Sequence, residues 1–358
     1  MRILIVGAGP TGLTAAVELA RRGMLPDIID RRDSGSGLSR AVGIMPTSLK
    51  ILKPSGVTAQ LVAEGIKFHA VKIYNGASLA FSMRLALKGR KDEFVLGLPQ
   101  DRTEAHLQSA FEKYGGKIQF ATELENLSQT GEQVIVTFTD GTTENYDYVI
   151  GADGISSTTR SLLGLGFPGH DLPETWSIAD VDAENWPNGN SFTICKLKAR
   201  EIVVVAPLEA NRYRIISNTE DALKSLPLPI NVTKIRRQGQ FGISIRQVEA
   251  YSKGRVYLAG DAAHCHSPVG GRGMNLGISD SAELAHRFAT GDLAGYSANR
   301  HREGKIIIGG SETIRKFVTS PNFFMRKLLF ALLWLVGKLP FLQVKIIERI
   351  LYGGLLEE

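Results

Sequence analysis

Three glycine-rich turns carry most of the chemistry that this sequence could perform. The first is Gly7-Ala8-Gly9-Pro10-Thr11-Gly12. It follows the β-branched run Arg2–Val6 and precedes the Ala- and Leu-rich stretch Leu13–Arg22. Gly7 permits a tight turn, Gly9 lets backbone approach a pyrophosphate at a helix N-terminus, and Gly12 lets that helix pack close to the strand. Asp30 closes a second strand-like run, Pro26–Asp30, where a carboxylate can hold a ribose hydroxyl. Strand, turn, helix, strand and acid in that order specify a dinucleotide site. Gly164–Gly169 repeats the glycine spacing but contains Pro168 and follows no strand, so it reads as a loop.

The second turn follows the apolar run Tyr146–Ile150 and reads Gly151-Ala152-Asp153-Gly154, with Ser157 and Arg160 after it. The third follows Arg255–Ala259 and reads Gly260-Asp261-Ala262-Ala263-His264. Pro268, Gly270, Gly271, Gly273, Met274 and Asn275 then lead into a helix that carries Asp280. Ser39–Ile44 (SRAVGI) and the pair Gln100 and Glu104 complete the set. On these residues the sequence resembles the class A flavoprotein monooxygenases, the para-hydroxybenzoate hydroxylase group. Within it, the sequence is similar to the branch that hydroxylates phenols and aromatic polyketides. The resemblance is good over residues 1–165 and 240–300 and poor elsewhere. Arg272 stands where the family often has Gln, Glu283 where Asn is common, and Lys50 where an acid is frequent.

The resemblance implies an α/β fold: a Rossmann-like FAD-binding lobe, an inserted and mostly antiparallel β-sheet substrate domain, and a C-terminal helical segment. The expected division is 1–66, 98–165 and 246–299 for the flavin lobe, 67–97 and 166–245 for the sheet, and 300–358 for the helices. It implies tightly bound FAD, held by Gly7, Gly9, Pro10, Thr11 and Gly12. Asp30 would hold the ribose, with Arg31 against the adenosine and backbone of Leu124 at the adenine. Arg40 and Gln100 would reach the pyrophosphate and ribityl side. Asp153 would order its loop, and Gly260 and Asp261 would meet the ribityl hydroxyls. Gly271, Gly273, Met274 and Asn275 would place N–H groups against the flavin's pyrimidine edge. Pro268 and Gly270 would form the environment where oxygen reacts, with no side-chain acid or base.

By the same resemblance, NAD(P)H is a transient co-substrate. O2 is activated as a flavin hydroperoxide, and one oxygen atom goes to an electron-rich, aromatic substrate by hydroxylation or epoxidation. Two other readings stay open: a flavin-dependent reductase or saturase of the same fold, and a non-catalytic FAD-bound protein that sequesters a small molecule.

The remaining composition narrows the field. The 358 residues are 43% hydrophobic and 22% charged, which excludes a disordered chain. Two cysteines, Cys195 and Cys265, make no disulfide framework and suit a reducing cytoplasm. Met1 and Arg2 run straight into a strand, unlike a signal peptide. His264, Cys265 and His266 are too close in sequence to converge on one tetrahedral ion, so no metal is expected. There is no GxSxG elbow for a hydrolase. The net charge of +6 shows no basic patch with interleaved aromatics in the body, so nucleic acid is not an expected partner.

Short β-rich runs between 67 and 83 and between 176 and 217, punctuated by Asn75-Gly76, Pro187-Asn188-Gly189 and Asn211, form the expected sheet. Arg214 or Tyr213 is a candidate anchor for a phenolate or carboxylate there, the other reading of either being a solvent-facing strand residue. From Arg300 onward the chain holds ten Lys/Arg and five Asp/Glu. Phe323–Val336 is apolar nearly all round, which suits packing on the flavin lobe or peripheral contact with a membrane.

Overall fold

The computed structural model describes residues 1–35, 41–85, 93–198, 200–267 and 271–352. Arg40, Pro268 and Gly270, three of the expected site residues, lie outside them.

The expected flavin lobe is built on a six-stranded sheet in the order Ser252–Lys253, Val256–Leu258, Tyr148–Gly151, Ile3–Val6, Asp27–Ile29 and Ile118–Gln119. All neighbours pair in parallel except Ser252–Lys253, which is antiparallel to Val256–Leu258. Ile3–Val6 is buried along its whole length, as a central parallel strand covered on both faces must be. The sheet order has a direct consequence for the site. Gly7, Gly151 and Gly260 stand at the C-terminal ends of three adjacent strands, although the sequence separates them widely. Ligands bind at that end of such sheets.

Two helices cover this end. Pro10–Ala20 and Gly273–Thr290 lie against each other, and each begins at a glycine-rich turn. A three-stranded antiparallel sheet, Leu124–Thr130, Gln133–Phe138 and Thr143–Tyr146, flanks the lobe. Apart from Leu124 and Tyr146, local sequence gives little sign of it, because its strands carry many polar residues on an exposed face.

The second sheet has seven strands in the order Asn231–Phe241, Trp176–Glu184, Arg212–Ser217, Ile202–Glu209, Ser191–Lys196, Ala70–Asn75 and Ser78–Arg84. Only the Ser191–Lys196/Ala70–Asn75 pair is parallel, so the expectation of a mostly antiparallel inserted sheet holds. Asn231–Phe241 is an addition. Its Lys234, Arg236 and Arg237 sit on an exposed edge, where charge deters pairing with another chain.

Two expectations need correction. Arg214 does not face a substrate: it is fully buried, with its Nε and Nη2 on the Asp180 carboxylate at 2.7 and 2.6 Å and its Nη1 on the Ala41 carbonyl at 2.9 Å. Tyr213, next to it on the strand, points to the other face and packs with Trp186 in a separate core. Neither is an anchor. The tail differs as well. The helix Tyr296–Val318 begins before residue 300 and is fastened to the flavin lobe by Arg300. The apolar helix Phe323–Lys338 packs on the edge strand Ser78–Arg84 of the substrate sheet, not on the flavin lobe. Val336 and, from the last helix Pro340–Tyr352, Ile347 join Phe81 and Met83 there. No single helix among the described residues is long and apolar enough to cross a membrane.

Candidate active site

One cavity of about 1810 Å³ runs from the glycine-rich turns to the inner face of the seven-stranded sheet. Its first half is lined by Gly7, Gly9, Pro10 and Thr11, and by Asp30 and Arg31. Gln100, Leu124, Asp153 and Asp261 extend it, and Gly271, Gly273 and Met274 close it. Most of the expected cofactor residues thus converge on one space.

The glycines act in two ways. A Cβ at Gly9 would meet no described residue beyond its chain neighbours within 4 Å, so backbone there borders open cavity. A Cβ at Gly12 would lie 1.8 Å from the Gly7 carbonyl oxygen, and Gly12 is absent from the lining. It sets the closeness of helix to turn instead. Gly260, at φ +62°, likewise leaves room for the Thr11 side chain, which also fills the space beside Gly277. The first and third turns are therefore interlocked.

The helices Pro10–Ala20 and Gly273–Thr290 both start with no side-chain cap and no acid in the first turn. Their leading N–H groups and partial positive ends suit an anion or an electron-rich edge. The Asn275 side chain has a task of its own. Its Oδ1 accepts from the Met45 N–H and Ser48 hydroxyl, both at 2.8 Å, and its Nδ2 donates to the carbonyls of Gly43 and Gly271 at 2.8 and 2.9 Å. The amide is a strut between the segment after residue 41 and the start of the helix.

Asp153 accepts from the Ser157 hydroxyl at 2.5 Å and from the Thr159 N–H at 2.9 Å within its loop. Arg160 then ties this loop to the third turn through the Ala262 carbonyl at 3.0 Å. Gln100 accepts from the Ala41 N–H at 3.2 Å and donates to Glu104 at 2.8 Å.

Asp30 shows what sequence reasoning missed. Arg32 grips both its carboxylate oxygens, at 2.9 and 2.8 Å, while the backbone N–H groups of Arg32 and Ala8 donate at 2.9 and 2.7 Å. Burial pushes the Asp30 carboxyl upward, but these donors outweigh it and hold it below the usual range. All four acceptor positions of the carboxylate are used. Any further donor to this carboxylate would have to share with, or displace, one Arg32 contact. Glu104, 3.5 Å from Arg32 Nη1, is at hand for the guanidinium. The adjacent Arg31–Arg32 pair was the available signal.

His264 and His266 point to different partners. His264 Nε2 lies 2.6 Å from Asp280 beneath the third turn. The carbonyl of Ser267 can only accept, so His266 Nδ1 donates to it, at 2.8 Å. Burial, with lesser effects of His264 and Arg272, lowers the His266 pKa to about 4. An unfolded histidine near 6.5 therefore binds a proton that the folded one refuses between pH 6.5 and 4. Stability from this group is present above pH 6.5 and is lost as pH falls toward 4, by an amount of the order of 3 kcal/mol. The expected result is that His266→Phe flattens this part of the stability–pH curve, read by urea unfolding. An unchanged slope in the variant would remove His266 as the cause.

The substrate-side half of the cavity is apolar. Phe192, Ile194, Val204 and Ile216 project from the sheet, with Phe68 and Trp176 at its flanks. The helix Tyr296–Val318 supplies the opposite wall through Ile307, Gly309, Gly310 and Ile314. Sequence reasoning gave this helix no place in the site.

A family model described as "FAD binding domain" matches residues 1–225 and 219–295. The chain belongs to that family, and within it to the class A flavoprotein monooxygenases. It is 32% identical to pentachlorophenol 4-monooxygenase of Sphingobium chlorophenolicum over 80% of its own length and 58% of that protein's. It is 29% identical to an uncharacterized aromatic compound monooxygenase of Bacillus subtilis, over 92% of this chain and 72% of that one. The chain thus spans between about half and three quarters of these relatives. Among solved structures, p-nitrophenol 4-monooxygenase of Pseudomonas putida superimposes with a TM-score of 0.88 over 98% of both chains, at 22% identity. The anhydrotetracycline hydroxylase of Streptomyces rimosus gives 0.79, at 27% identity, over 98% of this chain and 76% of that one.

Proposed function

We propose that the protein is an FAD-dependent monooxygenase that uses NAD(P)H and O2 to hydroxylate or epoxidise an electron-rich aromatic substrate. The observation that carries this reading is the single cavity. Its dinucleotide half opens into an apolar half whose sheet wall, among the described residues, presents no charged side chain. When bound, FAD supplies electron transfer from reduced nicotinamide and the activation of O2. The balance is one oxygen atom into the substrate and one into water, with NAD(P)H oxidised.

The chain's own residues bind, orient and exclude water. Gly9 and the Pro10–Ala20 N-terminus would take the pyrophosphate, Asp30 the ribose, and Asp261 the ribityl hydroxyls. Gly271 and Gly273, at the start of the Gly273–Thr290 helix, would favour negative charge on the neighbouring ring edge. Phe192, Ile194, Val204 and Ile216 would hold an aromatic ring and keep water from the reacting centre. With Arg214 committed to Asp180, the described residues of that wall offer a carboxylate-bearing substrate no cation, which favours uncharged substrates. Among the described residues one Rossmann unit is present, so NAD(P)H would act as a visitor from the surface.

Anaerobic mixing of the FAD-loaded protein with NADPH or NADH, with and without uncharged phenols, tests this reading. Flavin reduction should be slow alone and faster with a productive phenol. On aeration, oxygen uptake should match hydroxylated product. Reduction at the same rate with every compound would count against it, and reduction of a substrate double bond without oxygen uptake would establish the reductase reading. In the same assay Asp261→Ala should bind FAD about 10- to 100-fold more weakly, since a charged acceptor is worth about 1.5–3 kcal/mol. Unchanged FAD affinity would remove Asp261 from the site.

A further inference from the structure

The helix Phe323–Lys338 has two unlike sides. Leu333 and Val336 pack toward the substrate sheet, where Val336 is buried, and the half-buried Met325 and Leu329 continue the same side at three- or four-residue spacing. Phe324, Leu328, Trp334 and Leu335 form the other side and are exposed, Phe324 by 77% and Trp334 by 65%. Phe341 and Val344 of the next helix are exposed too. Isolated apolar residues on a surface need no explanation, but a cluster of large ones marks a contact.

Charge selects the contact. Lys327, Lys338 and Lys345 are exposed on the same two helices. Their one described acid, Glu348, lines the cavity instead. A second copy docked on this face would bring lysines against lysines, which opposes association. A lipid surface bearing negative headgroups accepts both features: apolar side chains enter the acyl boundary and lysines meet the headgroups. Trp334, with the Lys338 ammonium 5.9 Å from its ring centre, has the amphipathic character found at such interfaces. The helix lies on the surface and does not cross it. Its 16 residues are about 24 Å long, and its inner side is taken up by Phe81 and Met83.

We infer that the outer face of the helices Phe323–Lys338 and Pro340–Tyr352 docks on an anionic lipid membrane. The inference rests on these two helices alone and is independent of the proposed reaction. The cavity wall and this face share the Pro340–Tyr352 helix, through Ile346 and Glu348 on one side and Val344 on the other. A substrate dissolved in the bilayer would thus be held close to the enzyme.

The protein supplies its own probe. Of its three tryptophans, Trp176 and Trp186 are buried at 2% and 7% exposure, so a collisional quencher reaches Trp334. The FAD-loaded full chain is mixed at low salt with vesicles of phosphatidylglycerol and phosphatidylcholine, or of phosphatidylcholine alone, some brominated in the acyl chain. The expected result is co-sedimentation with the anionic vesicles and quenching of Trp334. Lys338→Gln with Lys345→Gln should reduce partitioning about 30-fold. Leu328→Gln with Phe341→Gln should reduce it by about 100-fold or more. Retained flavin absorbance in both variants shows that the fold is intact. No sedimentation with anionic vesicles, or equal partitioning into phosphatidylcholine alone, overturns the inference. A concentration-dependent dimer that shields Trp334 without lipid also overturns it and assigns the face to a second copy.

Discussion

Replacing Arg300 with methionine is expected to destabilise the protein by about 3–5 kcal/mol, because it leaves a buried carboxylate without its cation. Asp280 is wholly buried. It accepts from Arg300 Nε at 2.6 Å, from His264 Nε2 at 2.6 Å and from the Gly260 N–H at 2.8 Å. Arg300 itself is buried and also donates to Glu283 at 3.2 Å and Glu303 at 2.5 Å. Burial alone would push the Asp280 carboxyl upward, but Arg300 and His264 more than offset it and hold it at about 2. The unfolded value is 3.8. This group's contribution is therefore complete above pH 3.8 and is lost as pH falls through 2.

Without Arg300 the upward push of burial prevails, and the loss begins at a higher pH. Denaturant unfolding at neutral pH, with the acid limb recorded alongside, checks both statements. A change below 1 kcal/mol would mean that the cluster relaxes toward water. The same substitution should weaken flavin retention, since the Gly260 N–H that Asp280 holds belongs to the turn that presents Asp261.

Gly12→Ala is the second large effect. The added methyl would fall 1.8 Å from a backbone oxygen, that of Gly7, and no flexible side chain can yield there. The helix Pro10–Ala20 must move away from the strand Ile3–Val6 at its first turn. Overpacking of this kind costs about 1–3 kcal/mol, and here it would also distort the turn proposed to take the pyrophosphate. FAD affinity should fall at least about 100-fold, together with a lowered unfolding midpoint. Gly9→Ala is the matched comparison. Among the described residues beyond its chain neighbours, its methyl meets no atom within 4 Å, so FAD affinity should drop while the flavin-free midpoint stays put. If both variants lost stability equally, the division of labour between the two glycines would be wrong.

These cases show where sequence ends and tertiary structure begins. The turns at Gly7, Gly151 and Gly260, the apolar strands before them and the unbroken apolar stretch from Leu328 to Gly337 are local patterns, and the chain declares them in a few adjacent residues. Even the spacing of Gly12 and Asp30 is contained within one strand–helix–strand unit. That was enough to indicate the flavin lobe, its family and most of the residues that line the dinucleotide half of the cavity.

Side-chain partners are another matter. Arg214 could have met a substrate or a carboxylate of its own sheet. The pairing of Trp176–Glu184 with Arg212–Ser217 places Asp180 opposite it and decides for the latter. Arg32 on Asp30 is only two residues away, but whether a guanidinium folds back or reaches out depends on the buried surroundings of Ala8 and Glu104. Arg300, assigned by sequence to a separate tail, is drawn across to Asp280 because the helix Tyr296–Val318 packs on Gly273–Thr290. The apolar helix covers a sheet edge and leaves half its large side chains outside. Hydrophobic periodicity reports that an element must bury a face. It does not report which surface will cover that face, because the choice depends on shapes assembled from distant parts of the chain.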